Sequence, residues 1–108
     1  MSKGKAILLC RASDVPPGSV KQVELAGHDD PFAVYNLDGT YYLTDDTCTH
    51  AMASLSDGDI EDGVIVCPLH GGAFDIKSGK AVEAPCTLAL KVYEIYREGD
   101  ELFGIIDA

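Results

Sequence analysis

The sequence predicts an all-β fold, a small sandwich or barrel of short antiparallel strands that carries two binding loops. Three observations predict it. Short segments of β-branched and aromatic residues recur along the 108 residues, eleven Gly and five Pro punctuate them, and no stretch carries the 3.6-residue apolar stripe of a long helix. A hydrophobic fraction of 46% is ample for a core, and the length leaves room for one core only, so residues 1–108 are expected to form a single domain.

Residues 6–10 read as the first strand, an apolar run closed by Arg11, and residues 19–26 as the second. Residues 32–37 and 41–44 flank Asp38-Gly39, a pair that tolerates the positive φ of a tight primed turn, so they are expected to form a hairpin. Residues 64–67 make a further short strand. In residues 90–97 the run Val92, Tyr93, Glu94, Ile95 and Tyr96 mixes β-branched and aromatic with polar types, as a half-buried antiparallel strand requires. Glu98-Gly99-Asp100 then turns the chain into residues 101–106. Residues 45–62 and 68–73 break the pattern with Gly, Asp, Ser and Thr and read as loops, where a β scaffold usually holds its binding chemistry.

The formal net charge of −10 repels phosphate backbones and anionic headgroups, so neither nucleic acid nor a membrane is an expected partner. All eight Lys and Arg lie outside residues 22–76, which contain eleven of the eighteen acids. Asp45, Asp46, Asp57, Asp59, Glu61 and Asp62 flank the first loop without an intervening base. They read equally as a solvated acidic face and as a docking surface for basic partners. The early apolar run is too short for a signal-peptide core or a membrane span, which makes a cytoplasmic, reducing location the expectation. Four cysteines in that setting are ligands or small buried hydrophobes before they are disulfides.

Cys48-Thr49-His50 stands in the first loop and Cys67-Pro68-Leu69-His70 begins the second, with sixteen residues between His50 and Cys67. A thiolate and an imidazole in each loop can converge on one metal site. Zinc fingers pair Cys with Cys and His with His, whereas here each Cys has its own His. This spacing resembles the Rieske [2Fe–2S] signature, in which two thiolates hold one iron and two imidazoles the other. The likeness extends to Gly71, to Phe74-Asp75 and to Glu83-Ala84-Pro85, which stands where Rieske proteins carry a proline loop over the cluster. Small size and the run from Cys67 to Asp75 make the chain similar to the ferredoxin component of bacterial aromatic-ring-hydroxylating dioxygenase systems.

That resemblance implies a Rieske-like domain with one [2Fe–2S] cluster held by Cys48 and Cys67 on one iron and His50 and His70 on the other. It implies a one-electron carrier, not an enzyme, taking electrons from an NADH-dependent flavoprotein ferredoxin reductase and passing them to a Rieske terminal oxygenase. The alternatives are the small subunit of an assimilatory nitrite reductase, whose cluster ligands are often absent, and a structural zinc-binding module. High-potential Rieske proteins carry an extra Cys in each loop, and the matching positions here are Ala53 and Leu69. They also place Ser and Tyr hydroxyls against cluster sulfurs, where this chain has Gly72 and Phe74. Without those donors the reduced cluster is less favoured, and a potential near roughly −150 mV is expected.

The remaining candidates have plainer readings. Cys10 closes a strand and reads as an inert buried thiol, and Cys86 has no ligand role because four ligands are already present. His28 reads as a solvated turn residue. Met52 and Leu55 either shield the cluster or simply pack the first loop. The five tyrosines read as sheet packing. No nucleophile–base pair, phosphate loop or nicotinamide fingerprint is present.

Overall fold

The computed structural model describes residues 4–48, 53–68, 71–84 and 88–107, with the side chain of Asp107 excepted. Among the described residues ten strands carry the fold: β1 Gly4–Arg11, β2 Val20–Val23, β3 Phe32–Leu37, β4 Thr40–Asp45, β5 Asp59–Glu61, β6 Val64–Val66, β7 Ala73–Asp75, β8 Ala81–Glu83, β9 Val92–Glu98 and β10 Glu101–Asp107. All pairings are antiparallel. Among the described residues the helical content is two single 3₁₀ turns, Ala12–Asp14 and Leu55–Asp57, and no helix is long and apolar enough to cross a membrane. The all-β expectation holds.

Six strands form the larger sheet in the order β1-β10-β9-β4-β3-β2, and four form the smaller one in the order β5-β6-β7-β8. Leu9 of β1 and Val23 of β2 share one apolar cluster with Phe32, Val34, Leu43 and Leu102, although β1 and β2 are opposite edges of the larger sheet. The sheet is therefore curled, with this cluster on its concave side. On β3 the alternate residues Ala33 and Tyr35 face the other way, into a second cluster with Ile65 of β6 and Phe74 of β7. Strand β3 is thus buried on both faces, which accounts for five consecutive buried residues where a half-exposed strand would alternate. This second cluster joins the two sheets, and the cysteines of the loops belong to it.

The β3–β4 hairpin forms as expected. Asp38 and Gly39 both take positive φ, 54° and 93°. The same device recurs unannounced at Asp62 and Gly63, with φ of 50° and 77°, and joins β5 to β6. Strand β2 stops at Val23, shorter than the expected 19–26, because the chain turns at Ala26-Gly27. Strands β5, β7 and β8 fall in or beside stretches expected to be loops or left unassigned; at three residues each, they are too short to display a period of two.

Candidate metal centre

Each cysteine of the expected ligand set leaves the end of a strand and opens a loop. Cys48 follows β4, and its N–H donates to the carbonyl of Ala53 at 2.9 Å, beside the isolated bridge between Thr47 and Ser54. Cys67 follows β6, and its N–H donates to the carbonyl of Gly72 at 2.6 Å, while the Gly71 N–H returns to the Cys67 carbonyl at 3.2 Å. Both loops are closed by a bond from the cysteine to the residue five positions on. They are held against each other by Gly58, where a Cβ would run into the Val66 carbonyl, so the end of the first loop lies directly on the strand that delivers Cys67.

Cys48 and Cys67 are only 3% and 2% exposed, neither is in a disulfide, and both pack in the cluster with Leu55, Ile65, Phe74, Ile76 and Leu90. Buried thiolates without a cation are strongly disfavoured, so two thiols brought into one apolar pocket by matched loops suit a soft metal. The donor set fits the thiolate-bound iron of an iron–sulfur group. His50 and His70, with 49, 51, 52 and 69, lie outside the described residues, as do Met52 and residues 85–87 with the lid Pro85 and Cys86. Among the described residues no three His, Cys, Asp or Glu side chains gather at a metal-binding distance.

The surroundings are dry and short of hydroxyls. Phe74 is fully buried beside both thiols, and Gly72 is buried as well, so neither position offers a side-chain donor to sulfur. Leu55 is also fully buried in this cluster, as both shielding and ordinary loop packing would have it. Tyr35 closes the far side: its hydroxyl is 2.9 Å from that of Thr44, and burial pushes its phenol well above the ordinary range, so it stays protonated. Cys10 is remote, in the other cluster, and only half-buried; burial, with Asp14 nearby, still raises its thiol pKa. His28 sets its ring edge-on to Phe32 at 5.4 Å and is half-buried, more packed than a solvated turn residue.

The acidic block divides in the structure. Asp57, Asp59, Glu61 and Asp62 are exposed, and Asp45 accepts a 2.7 Å bond from the Tyr93 hydroxyl. Asp46, expected on the same face, is instead completely buried, because the chain turns inward at the end of β4 to enter the first loop. On the outer face of the smaller sheet, Val64 and Val66 point away from Ile65 and line a groove of about 560 Å³ with Ala73 and Val82. Its charged lining residues, Glu61, Asp62 and Glu83, are all acidic, and Gly71 also lines it. Val82, on the unexpected strand β8, carries no sequence signal that would have marked it, and Glu83 is marked in the sequence only as the start of the expected lid.

Comparison with known proteins is in keeping with this geometry. The Rieske [2Fe–2S] domain family matches residues 5–94. Ferredoxin CarAc of Metapseudomonas resinovorans is 45% identical over 93 residues, spanning 85% of this chain and 86% of that protein. The ferredoxin component of the naphthalene 1,2-dioxygenase system of Pseudomonas aeruginosa is 40% identical over 89 residues, spanning 82% and 84%. Among solved structures, a complex of reduced oxygenase and oxidized ferredoxin in carbazole 1,9a-dioxygenase contains a chain with a TM-score of 0.88 and 40% identity, with 94% of each chain covered.

Proposed function

The chain belongs to the Rieske [2Fe–2S] domain family, and from that premise we propose that Cys48 and Cys67 bind one iron and His50 and His70 the other. It is an electron carrier with a Rieske-type cluster, a ferredoxin of the kind found in aromatic dioxygenase systems, and not a catalyst. When bound, the cluster takes up and releases one electron. The observation that carries the ligand reading is the pair of matched loops, each closed from its cysteine to the fifth residue on, that brings two buried thiols into one apolar cluster. The loops supply thiolates on the buried side, where Leu55 and Phe74 exclude water.

The whole chain acts as one Rieske domain in the cytoplasm. It accepts electrons from an NADH-dependent flavoprotein ferredoxin reductase and gives them to a Rieske terminal oxygenase. Both partners approach the end that bears Gly71, where the groove between β5 and β8 offers an apolar floor with carboxylates of a single sign. A basic side chain with an aliphatic stem suits that floor and those walls.

Single replacement of Cys48, His50, Cys67 and His70 by Ala, with iron counted in each purified variant, tests the ligand set. Each is expected to lose the cluster, whereas Cys10→Ala and Cys86→Ala keep it. A His50→Ala or His70→Ala chain with its full iron and unaltered spectrum would remove those residues from the site.

A further inference from the structure

Among the described residues Asp46 is the only charged side chain that is buried, and it is 0% exposed. All of its polar groups are engaged. Its N–H donates to the Pro31 carbonyl at 3.1 Å, and its carbonyl accepts the Leu55 N–H at 2.7 Å. Oδ1 accepts the Ser56 N–H at 2.8 Å, and Oδ2 accepts from Nε2 of Gln22 at 2.9 Å. Both carboxylate oxygens accept from neutral N–H donors. Gln22 also reaches the Ser54 hydroxyl at 3.2 Å.

These bonds join three separate parts of the fold: β2, the entry to β3, and the 3₁₀ turn after the first loop. The loop leaves the sheet at Asp46 and returns to the same residue through Leu55 and Ser56, with Cys48 two positions on. A buried charge held only by neutral donors costs stability, and an apolar residue would cost less. Its retention at the mouth of this loop calls for a function.

We propose that Asp46 is the positioning residue of the first cluster loop, fixing Cys48 for iron and setting a carboxylate at the mouth of that loop. The inference rests on the reading of Cys48 as a ligand. Reduction adds a negative charge to the bound group, and a fixed anion in a low-dielectric pocket opposes that addition. Asp46 therefore lowers the potential by its field, in the same direction as the missing hydroxyls at positions 72 and 74.

The test uses the iron-loaded protein in four forms: the natural chain, Asp46→Asn, Gln22→Ala and Asp57→Asn. The last removes an exposed acid of the same block. The midpoint potential is measured by voltammetry and iron release by transfer to a chelator. Asp46→Asn is expected to favour reduction about tenfold, which is 59 mV for a one-electron couple. Gln22→Ala, at an exposed side chain, removes one bond to the carboxylate and should speed iron release about fivefold. Asp57→Asn should change neither by more than about twofold. A midpoint for Asp46→Asn no higher than that of Asp57→Asn, or iron release from Gln22→Ala at the natural rate, overturns the proposal. If Asp46→Asn does not fold, the iron release of Gln22→Ala decides alone. Failure of the Rieske reading itself would appear in the natural chain, as a protein without iron.

Discussion

Cys48 and Cys67 each donate a backbone N–H to the carbonyl five residues on, Ala53 at 2.9 Å and Gly72 at 2.6 Å, so two loops from different strands are closed in the same way. Each bond fixes the backbone of a cysteine before any metal arrives. On the proposed ligation, thiols held in place by their own peptides lose little entropy on binding, and the two together make a preorganised half-site.

The Gly58 contact joins these two loops mechanically. A methyl group there meets the Val66 carbonyl, and Val66 precedes Cys67 directly. Gly58→Ala is expected to lower stability by about 2 kcal/mol in denaturant titration and to leave the protein deficient in iron. Full iron content at natural stability would show that the loops tolerate separation.

By the resemblance to high-potential Rieske proteins, Phe74 stands where they carry a Tyr hydroxyl against cluster sulfur. The natural chain is expected to have a midpoint at the low end of the Rieske range, near roughly −150 mV. Phe74→Tyr introduces a donor into the cluster that holds both thiols and should raise the midpoint by about 59 mV, the equivalent of a tenfold change. Voltammetry at pH 7 checks both values; a positive midpoint for the natural protein would remove the explanation from residues 72 and 74.

Glu61, Asp62 and Glu83 give the groove beside Gly71 a single sign of charge. Electron-transfer rates with the oxygenase are expected to fall steeply as ionic strength rises. Replacing the three by Gln, Asn and Gln should slow transfer about tenfold at low salt and flatten that dependence. A steep salt dependence that survives the triple replacement would place the docking charge elsewhere.

In the turn between β9 and β10, Asp100 accepts from the Ser13 hydroxyl at 2.8 Å and the Ser13 N–H at 3.1 Å, and the hydroxyl bond chiefly holds its pKa below the ordinary value. A carboxylate depressed in the folded state contributes stability above its unfolded pKa and loses it as pH falls through the folded one. Asp100→Asn should therefore lower Tm at pH 7, with the difference shrinking below about pH 4. A difference in Tm that stays constant down to pH 2 would mean that the charge of Asp100 is not what matters.

The longer strands were legible from residue types alone, and the Cys-x-His and Cys-x-x-His spacing supplied the resemblance to the Rieske family. Asp38-Gly39 marked its hairpin because few residue pairs tolerate two positive φ values, and the identical pair Asp62-Gly63 carried the same message between strands too short to support it. Strands β5 and β7 pair with the two edges of β6, and β8 with β7, while the second cluster takes Ile60, Phe74 and Ala81, a tertiary cause that no three-residue window contains. Asp46 was hidden in a run of acids that composition assigns to the surface. Only the inward turn after β4 separates it from Asp45, and nothing in its type or neighbours announces that turn.

The most direct measurement is the electron paramagnetic resonance spectrum of the dithionite-reduced protein, with iron, zinc and acid-labile sulfide counted on the same sample. Ligation by Cys48, Cys67, His50 and His70 predicts a rhombic signal of low average g, with two irons and two sulfides per chain. A signal of the all-cysteine type would contradict the imidazole half of the site, and a silent sample containing zinc would contradict the electron-transfer account itself.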